Sequence, residues 1–156
     1  GANGIQALDL MGRKTVRVKG EYLQLLLSEM QEWLSGQKDI AELKPSIARF
    51  TRCQQQLADT TEQVIARAED DAAEIGAASY PYLELLGLTL YGYMWLRVMA
   101  ACHEQLVAQQ GDADYQAGLL KTGEFFMARL LPAAGALGAE IAAGAESVMA
   151  ITPEQF

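Results

Sequence analysis

A chain of 156 residues with 51% hydrophobic and 21% charged residues is long and apolar enough to fold around one core, which excludes a disordered protein. Its formal net charge of −8 excludes docking on a nucleic-acid backbone, which takes Lys and Arg to displace counterions. Cys53 and Cys102 are too few and too far apart for a disulfide framework, consistent with a reducing cytoplasm, and the longest charge-free stretch, residues 85–96, falls well short of the about 20 residues of a membrane span.

In chain order, helical periodicity dominates and no segment alternates like a strand. Asn3 is placed to cap a first helix over residues 3–12, with Ile5, Leu8 and Leu10 as its apolar face. The basic stretch Arg13, Lys14, Arg17 and Lys19 follows as a connector. Leu23, Leu26, Leu27, Met30 and Leu34 share one face of a second helix that ends at Gly36, a residue suited to a left-handed cap. Pro45 opens a third helix whose seam is Ile47, Phe50, Leu57, Val64 and Ala68. A break is expected at residues 76–81, because Pro81 disfavours helix at Tyr80 and Ser79 can cap the next helix. That fourth helix, residues 81–110, is apolar almost all round, so other helices should surround it. After the turn at Gly111, with Asp112 or Asp114 as cap, a fifth helix reaches Ala143 with a bend at Pro132, and Gly144 stops it. Thr152-Pro153-Glu154-Gln155 has the spacing of a final capped turn. Gly87, Gly92, Gly123, Gly135 and Gly138 cost helix propensity and read as points of close helix approach.

Few residues offer chemistry. His103, the one histidine, adjoins Cys102 and Glu104, but helix neighbours point about 100° apart, so the three cannot converge. No Glu stands three residues before it, which removes the usual bundle metal motif. Glu69, Asp70, Asp71 and Glu74 read as a solvated helix end, and Tyr80, Tyr82, Tyr91, Tyr93 and Trp95 as packing or interface aromatics rather than a cofactor stack. The basic connector reads as a solvated loop or pairs with acidic neighbours, the alternative being contact with a phosphate.

The opening is the most specific stretch. Gly1-Ala2-Asn3-Gly4-Ile5-Gln6-Ala7-Leu8-Asp9-Leu10 resembles the C-terminal signature of the acyl-CoA dehydrogenase flavoenzymes, in which a Glu-Gly-Thr-Asn-Gly-Ile-Gln-Ala-like string carries the catalytic base. Tyr82-Leu83-Glu84-Leu85-Leu86-Gly87, Gly92-Tyr93-Met94-Trp95, Phe125-Phe126-Met127-Ala128-Arg129-Leu130-Leu131-Pro132 and Gly144-Ala145-Glu146-Ser147-Val148-Met149-Ala150 look like the extra C-terminal helical domain of the subgroup that includes 3-methylmercaptopropionyl-CoA dehydrogenase. The resemblance implies FAD as cofactor, an acyl-CoA substrate and an electron-transfer flavoprotein as electron acceptor. It places Gly1 near the thioester and Ala2, Asn3 and Gly4 near the flavin. The base would be a Glu just before Gly1, so the chain itself holds no catalytic residue and no metal ligand. Ala2 departs from the family's usual Thr and removes a hydroxyl that would meet the flavin.

These readings combine into an all-α, up-and-down bundle of about four main helices plus a short N-terminal one. Residues 1–19 would end a catalytic domain, and residues 20–156 would form a helical module with a structural or assembly role. Homo-oligomers are expected through exposed apolar surface on the first helix and the end of the fifth. The alternative is a stand-alone helical interaction domain, its opening unrelated to catalysis.

Overall fold

A computed structural model describes residues 1–37 and 39–155, and among them there is helix and turn but no strand. The α-helices are α1 (Ala2–Leu8), α2 (Glu21–Ser35), α3 (Lys44–Ala68), α4 (Ala73–Val107), α5 (Ala113–Phe125), α6 (Ala133–Ala142) and the short α7 (Glu146–Met149). They form a bundle around α4, which packs on α1, α3, α5 and α6. The core is built from Met30, Phe50, Leu57, Val64, Tyr82, Leu85, Leu96 and Met127. The apolar faces expected of the second and third helices are the ones buried there. Tyr82 is the largest fully buried side chain, and its hydroxyl meets Thr61 Oγ1 at 2.9 Å, so the one polar atom it brings into the core is satisfied.

The first 20 residues differ from the sequence expectation. Only the second half of the basic stretch is a connector: Arg17 and Lys19 lie in the turn that leads to α2, whereas Arg13 and Lys14 continue α1 in a π-helix, Asp9–Val16, that buries Met11 and Thr15 one turn apart. The buried face of α1 is therefore Ala7 and Met11, while Ile5 and Leu8 face outward. Asp9 pairs with Arg13 at 2.6 Å and Lys14 at 3.2 Å, and Lys19 reaches Glu69 at 3.7 Å, so the basic residues meet acidic neighbours. The reversal into α2 uses left-handed backbone at Lys19 (φ 51°) and Gly20 (φ 76°). Gly36, by contrast, is right-handed at φ −75°, and the left-handed cap expected there is absent.

The break expected at residues 76–81 is not there either. α4 starts eight residues before Pro81, where Asp71 Oδ1 accepts the Ala73 N–H at 2.8 Å, and runs straight through the proline. Ala78, Pro81, Tyr82 and Leu85 fall on one buried helical face, and that burial outweighs the single backbone bond the ring removes. Ser79 is no cap; its hydroxyl donates to the Gly76 carbonyl at 2.9 Å. α4 is also not covered all round, since Tyr80, Glu84, Tyr91 and Met94 form an open stripe. α4 and the 113–142 stretch are apolar and long enough to cross a membrane by length and composition, a test that the core helices of a bundle also pass.

Asp112 caps α5 as expected, accepting the Tyr115 N–H at 3.1 Å. The bend near Pro132 begins earlier, in a π-helical turn at Phe126–Leu130, and Pro132 is the N-terminal cap of α6. Gly144 (φ 73°) ends α6 as expected. Thr152 N–H donates to Gln155 Oε1 at 2.9 Å over the last turn, Pro153–Gln155.

The five glycines expected at close helix approaches divide. A Cβ at Gly92 would lie 3.1 Å from both Phe50 and Leu131, one at Gly123 would strike Met99, and one at Gly138 would strike Gln56, so these three are close approaches. Gly87 and Gly135 have nothing within 4 Å, and the close-approach reading fails for them. Gly87→Ala should therefore stabilise the fold by about 0.5–1 kcal/mol through helix propensity alone. Gly92→Leu should destabilise it by about 1–3 kcal/mol through overpacking. Urea unfolding of the two variants reads both signs, and a stabilised Gly92→Leu would refute this packing.

Candidate functional site

The four residues tied to flavin and thioester, Gly1, Ala2, Asn3 and Gly4, form the first turn of α1 and are all exposed. Gly1 occupies the cap position with no side-chain cap. Asn3 is inside the helix, not at its cap, so the capping role expected of it is not made. The first helical bond runs from Ile5 N–H to the Gly1 carbonyl at 3.4 Å. That leaves the N–H groups of Ala2, Asn3 and Gly4 without helical partners, gathered at the positive end of the helix dipole. A Cβ at Gly1 or Gly4 would meet nothing within 4 Å, so the turn is open to whatever approaches it.

The turn is held in place from one step behind it. Ala7 and Met11 anchor α1 in the core, and Gly12 packs towards Ile75 of α4 with room for a Cβ at ordinary contact distance. Leu8 lies over an apolar hollow shared with Ala73, Gly76, Val148 and Met149. Val148 and Met149, which line it, are 66% and 67% exposed, and Ile5, close to Leu8 in sequence, and Ile151, close to Met149, are exposed as well. The end of the bundle that carries the first turn of α1 is thus a collar of bare apolar side chains.

At the same end is a buried ionic cluster that the sequence did not reveal. Glu74, read from sequence as part of a solvated acidic run, is buried. Its carboxylate faces Arg67 Nε at 3.0 Å and accepts the Ala145 N–H at 2.9 Å. Arg67 in turn donates to the Ile141 carbonyl at 2.8 Å and the Ala142 carbonyl at 3.2 Å, the last turn of α6. The pair ties the α3–α4 corner to the chain reversal that leads into α7. Only Glu69, Asp70 and Asp71 are the solvated residues the pattern suggests.

The remaining candidates stay apart. His103 Nε2 is 3.9 Å from Glu42 and converges with no thiol, and no three metal-binding side chains cluster among the described residues. Both cysteines are buried and free; burial pushes the Cys53 thiol up, only partly offset by its contact with Thr89 at 3.3 Å. Tyr82 and Tyr93 pack in the core, with Trp33 edge-on to Tyr93 at 5.5 Å, whereas Tyr80 and Tyr91 are exposed. The Glu84 charge beside Tyr80 pushes its phenol up.

Compared with known families, residues 26–152 match the one described as acetyl-CoA dehydrogenase C-terminal like. The chain belongs to this acyl-CoA dehydrogenase C-terminal-like family. The match takes in most of α2 and everything to the end of α7, while α1 and its first turn precede it. A search of curated proteins finds no match. Acyl-CoA dehydrogenases depend on FAD. The first turn of α1 offers the N–H groups of Ala2, Asn3 and Gly4 as donors without helical partners, a set of the kind that takes a phosphate oxygen at helix N-termini.

Proposed function

We propose that the chain is the C-terminal part of an FAD-dependent acyl-CoA dehydrogenase, with residues 1–19 closing the catalytic domain and residues 20–156 forming an appended helical domain. The observation that carries this reading is the family match over residues 26–152, preceded one helix earlier in the chain by the open, glycine-containing start of α1. FAD, when bound, would supply the acceptor for a hydride equivalent from the β-carbon of the acyl chain. The residues of this chain do the positioning. The N–H groups of Ala2, Asn3 and Gly4 hold the anionic part of the cofactor, and Gly1 lets backbone approach the thioester closely. The carboxylate that would precede Gly1 takes the α-proton. The bundle itself supports α1 through Ala7 and Met11 and presents the Leu8–Met149 collar to the rest of the enzyme. Similarity to the 3-methylmercaptopropionyl-CoA dehydrogenase subgroup, reoxidation by an electron-transfer flavoprotein, a homo-oligomeric state and a cytoplasmic location belong to the same proposal.

The test is the flavin content of the product of the whole gene. It should purify yellow and reduce a dye only when an acyl-CoA is supplied. A colourless whole-gene product without such activity would overturn the reading and favour the stand-alone helical domain.

A further inference from the structure

A pocket of about 240 Å³ opens between the middle of α3 and the joint that leads into α6. Along α3 it is roughly 17 Å from the Arg67 corner, at 1.5 Å per residue, and so lies apart from the first turn of α1. Its floor is apolar, formed by the exposed Pro132 and the edges of the buried Met127, Leu131 and Cys53, and the Gln56 side chain also lines it. Arg49 and Arg52 stand at its mouth, neighbours at i and i+3 on α3. No carboxylate lines it. Among the described residues neither guanidinium makes an ion pair, a state shared with Arg17, Lys44, Lys121 and Arg129; what sets Arg49 and Arg52 apart is that they line one hollow together. Two uncommitted cations over one apolar hollow, in a chain of net charge −8, leave a charge vacancy of definite sign.

The pocket is also held open. The π-helical turn at Phe126–Leu130 closes with Leu131 N–H on the Phe126 carbonyl at 3.0 Å, and Pro132 then redirects the chain, so the wall on that side is fixed. Single π-turns of this kind recur at binding sites. Gly135 forms part of the far side and has nothing within 4 Å of where a Cβ would be, so the space is not filled from α6.

We propose that this pocket binds a short-chain aliphatic carboxylate, its anionic end held by Arg49 and Arg52 and its tail laid against Met127 and Leu131. The planar fork of a guanidinium matches a carboxylate in two parallel hydrogen bonds. An anion without a tail would leave the apolar floor unused. The volume lies below the about 300–1,000 Å³ of pockets for drug-sized ligands, which sets a ligand of a few carbons.

Calorimetric titration of the purified chain with hexanoate, hexan-1-ol and inorganic phosphate tests this. Hexanoate should saturate with a Kd of ~1 mM, a realistic value for so small a ligand. Hexan-1-ol, lacking the charge, should bind about tenfold more weakly, and the doubly substituted Arg49→Gln/Arg52→Gln chain should lose hexanoate affinity by a similar factor. Both arginines are exposed, so the thermal transition of that variant should not move. Gly135→Leu should fill the space and abolish hexanoate binding without removing either cation. If a variant does not fold, Arg52→Gln alone carries the same readout. Absence of saturation by hexanoate at ~10 mM, equal binding of phosphate and hexanoate, or undiminished binding by a folded arginine variant would each overturn the proposal.

Discussion

Arg67→Ala is expected to lower stability by about 2–3 kcal/mol, the largest single effect on the fold outside its apolar core. The substitution leaves the buried Glu74 carboxylate without its counter-charge and strips the Ile141 and Ala142 carbonyls of their donors. Removing one partner of a fully buried pair commonly costs about 3–5 kcal/mol; the Arg67 side chain is 32% exposed, and water that reaches it lowers the cost. Glu74→Gln should cost less, about 1 kcal/mol, because an amide oxygen still accepts the Ala145 N–H at the left-handed Gly144 turn. Replacing both by apolar residues of similar size, as in Arg67→Met/Glu74→Leu, should recover most of the loss, since no charge is then stranded. Urea unfolding gives the energies. Limited proteolysis gives the place, because the reversal at Gly144 and Ala145 should open first and carry Val148 and Met149 off the Leu8 hollow. An Arg67→Ala chain within about 0.5 kcal/mol of the parent would show that the pair is a surface contact of no consequence.

That cluster also marks where sequence reasoning ran out. A run of Glu69, Asp70, Asp71 and Glu74 looks solvated, and only the tertiary approach of α6, some 70 residues later, turns its last member inward. Local signals with a local cause were legible: Asp112 as a cap, Gly144 as a stop, and the apolar stripes of α2 and α3. Signals that depend on the packing partner of a segment were not. Pro81 reads as a break, yet the burial of Ala78, Tyr82 and Leu85 on its own face carries the helix through it. Arg13 to Lys19 reads as a connector, yet the burial of Met11 and Thr15 keeps the chain helical to Val16 and leaves only Arg17 to Gly20 as the turn. The all-α bundle survived these errors because each moved a boundary rather than changed a period. For the site, Gly1 to Gly4 are consecutive, so their sharing one turn needed no structure. Arg49 and Arg52 are the reverse case: two cations on an exposed helix face mean little until Met127 and Leu131 arrive from another part of the chain.

Residues 1–156 purified alone are expected to hold no FAD and to leave acyl-CoA unoxidised, although we propose that the whole enzyme does both. The three N–H groups of the first turn contact a small part of a large dinucleotide, and hydrogen bonds exchanged with water return about 0.5–1.5 kcal/mol each. Association costs roughly 4–15 kcal/mol, which such contacts do not offset. Proton abstraction would fail for a separate reason, because Asp9, the acid nearest in sequence to the turn among residues 1–156, is already paired with Arg13 and Lys14. In the whole enzyme, changing the carboxylate before Gly1 to its amide should slow turnover by about 10²–10⁴ while the flavin stays bound, since it removes the base and not the phosphate contacts. Restoring the family's Thr by Ala2→Thr should strengthen flavin retention by about 1 kcal/mol, one hydrogen bond's worth. Visible absorbance after gel filtration and acyl-CoA-dependent dye reduction read all three results. Stoichiometric flavin in the isolated chain, or turnover by it, would move the active site inside residues 1–156 and end the division of labour proposed for α1 and the bundle behind it.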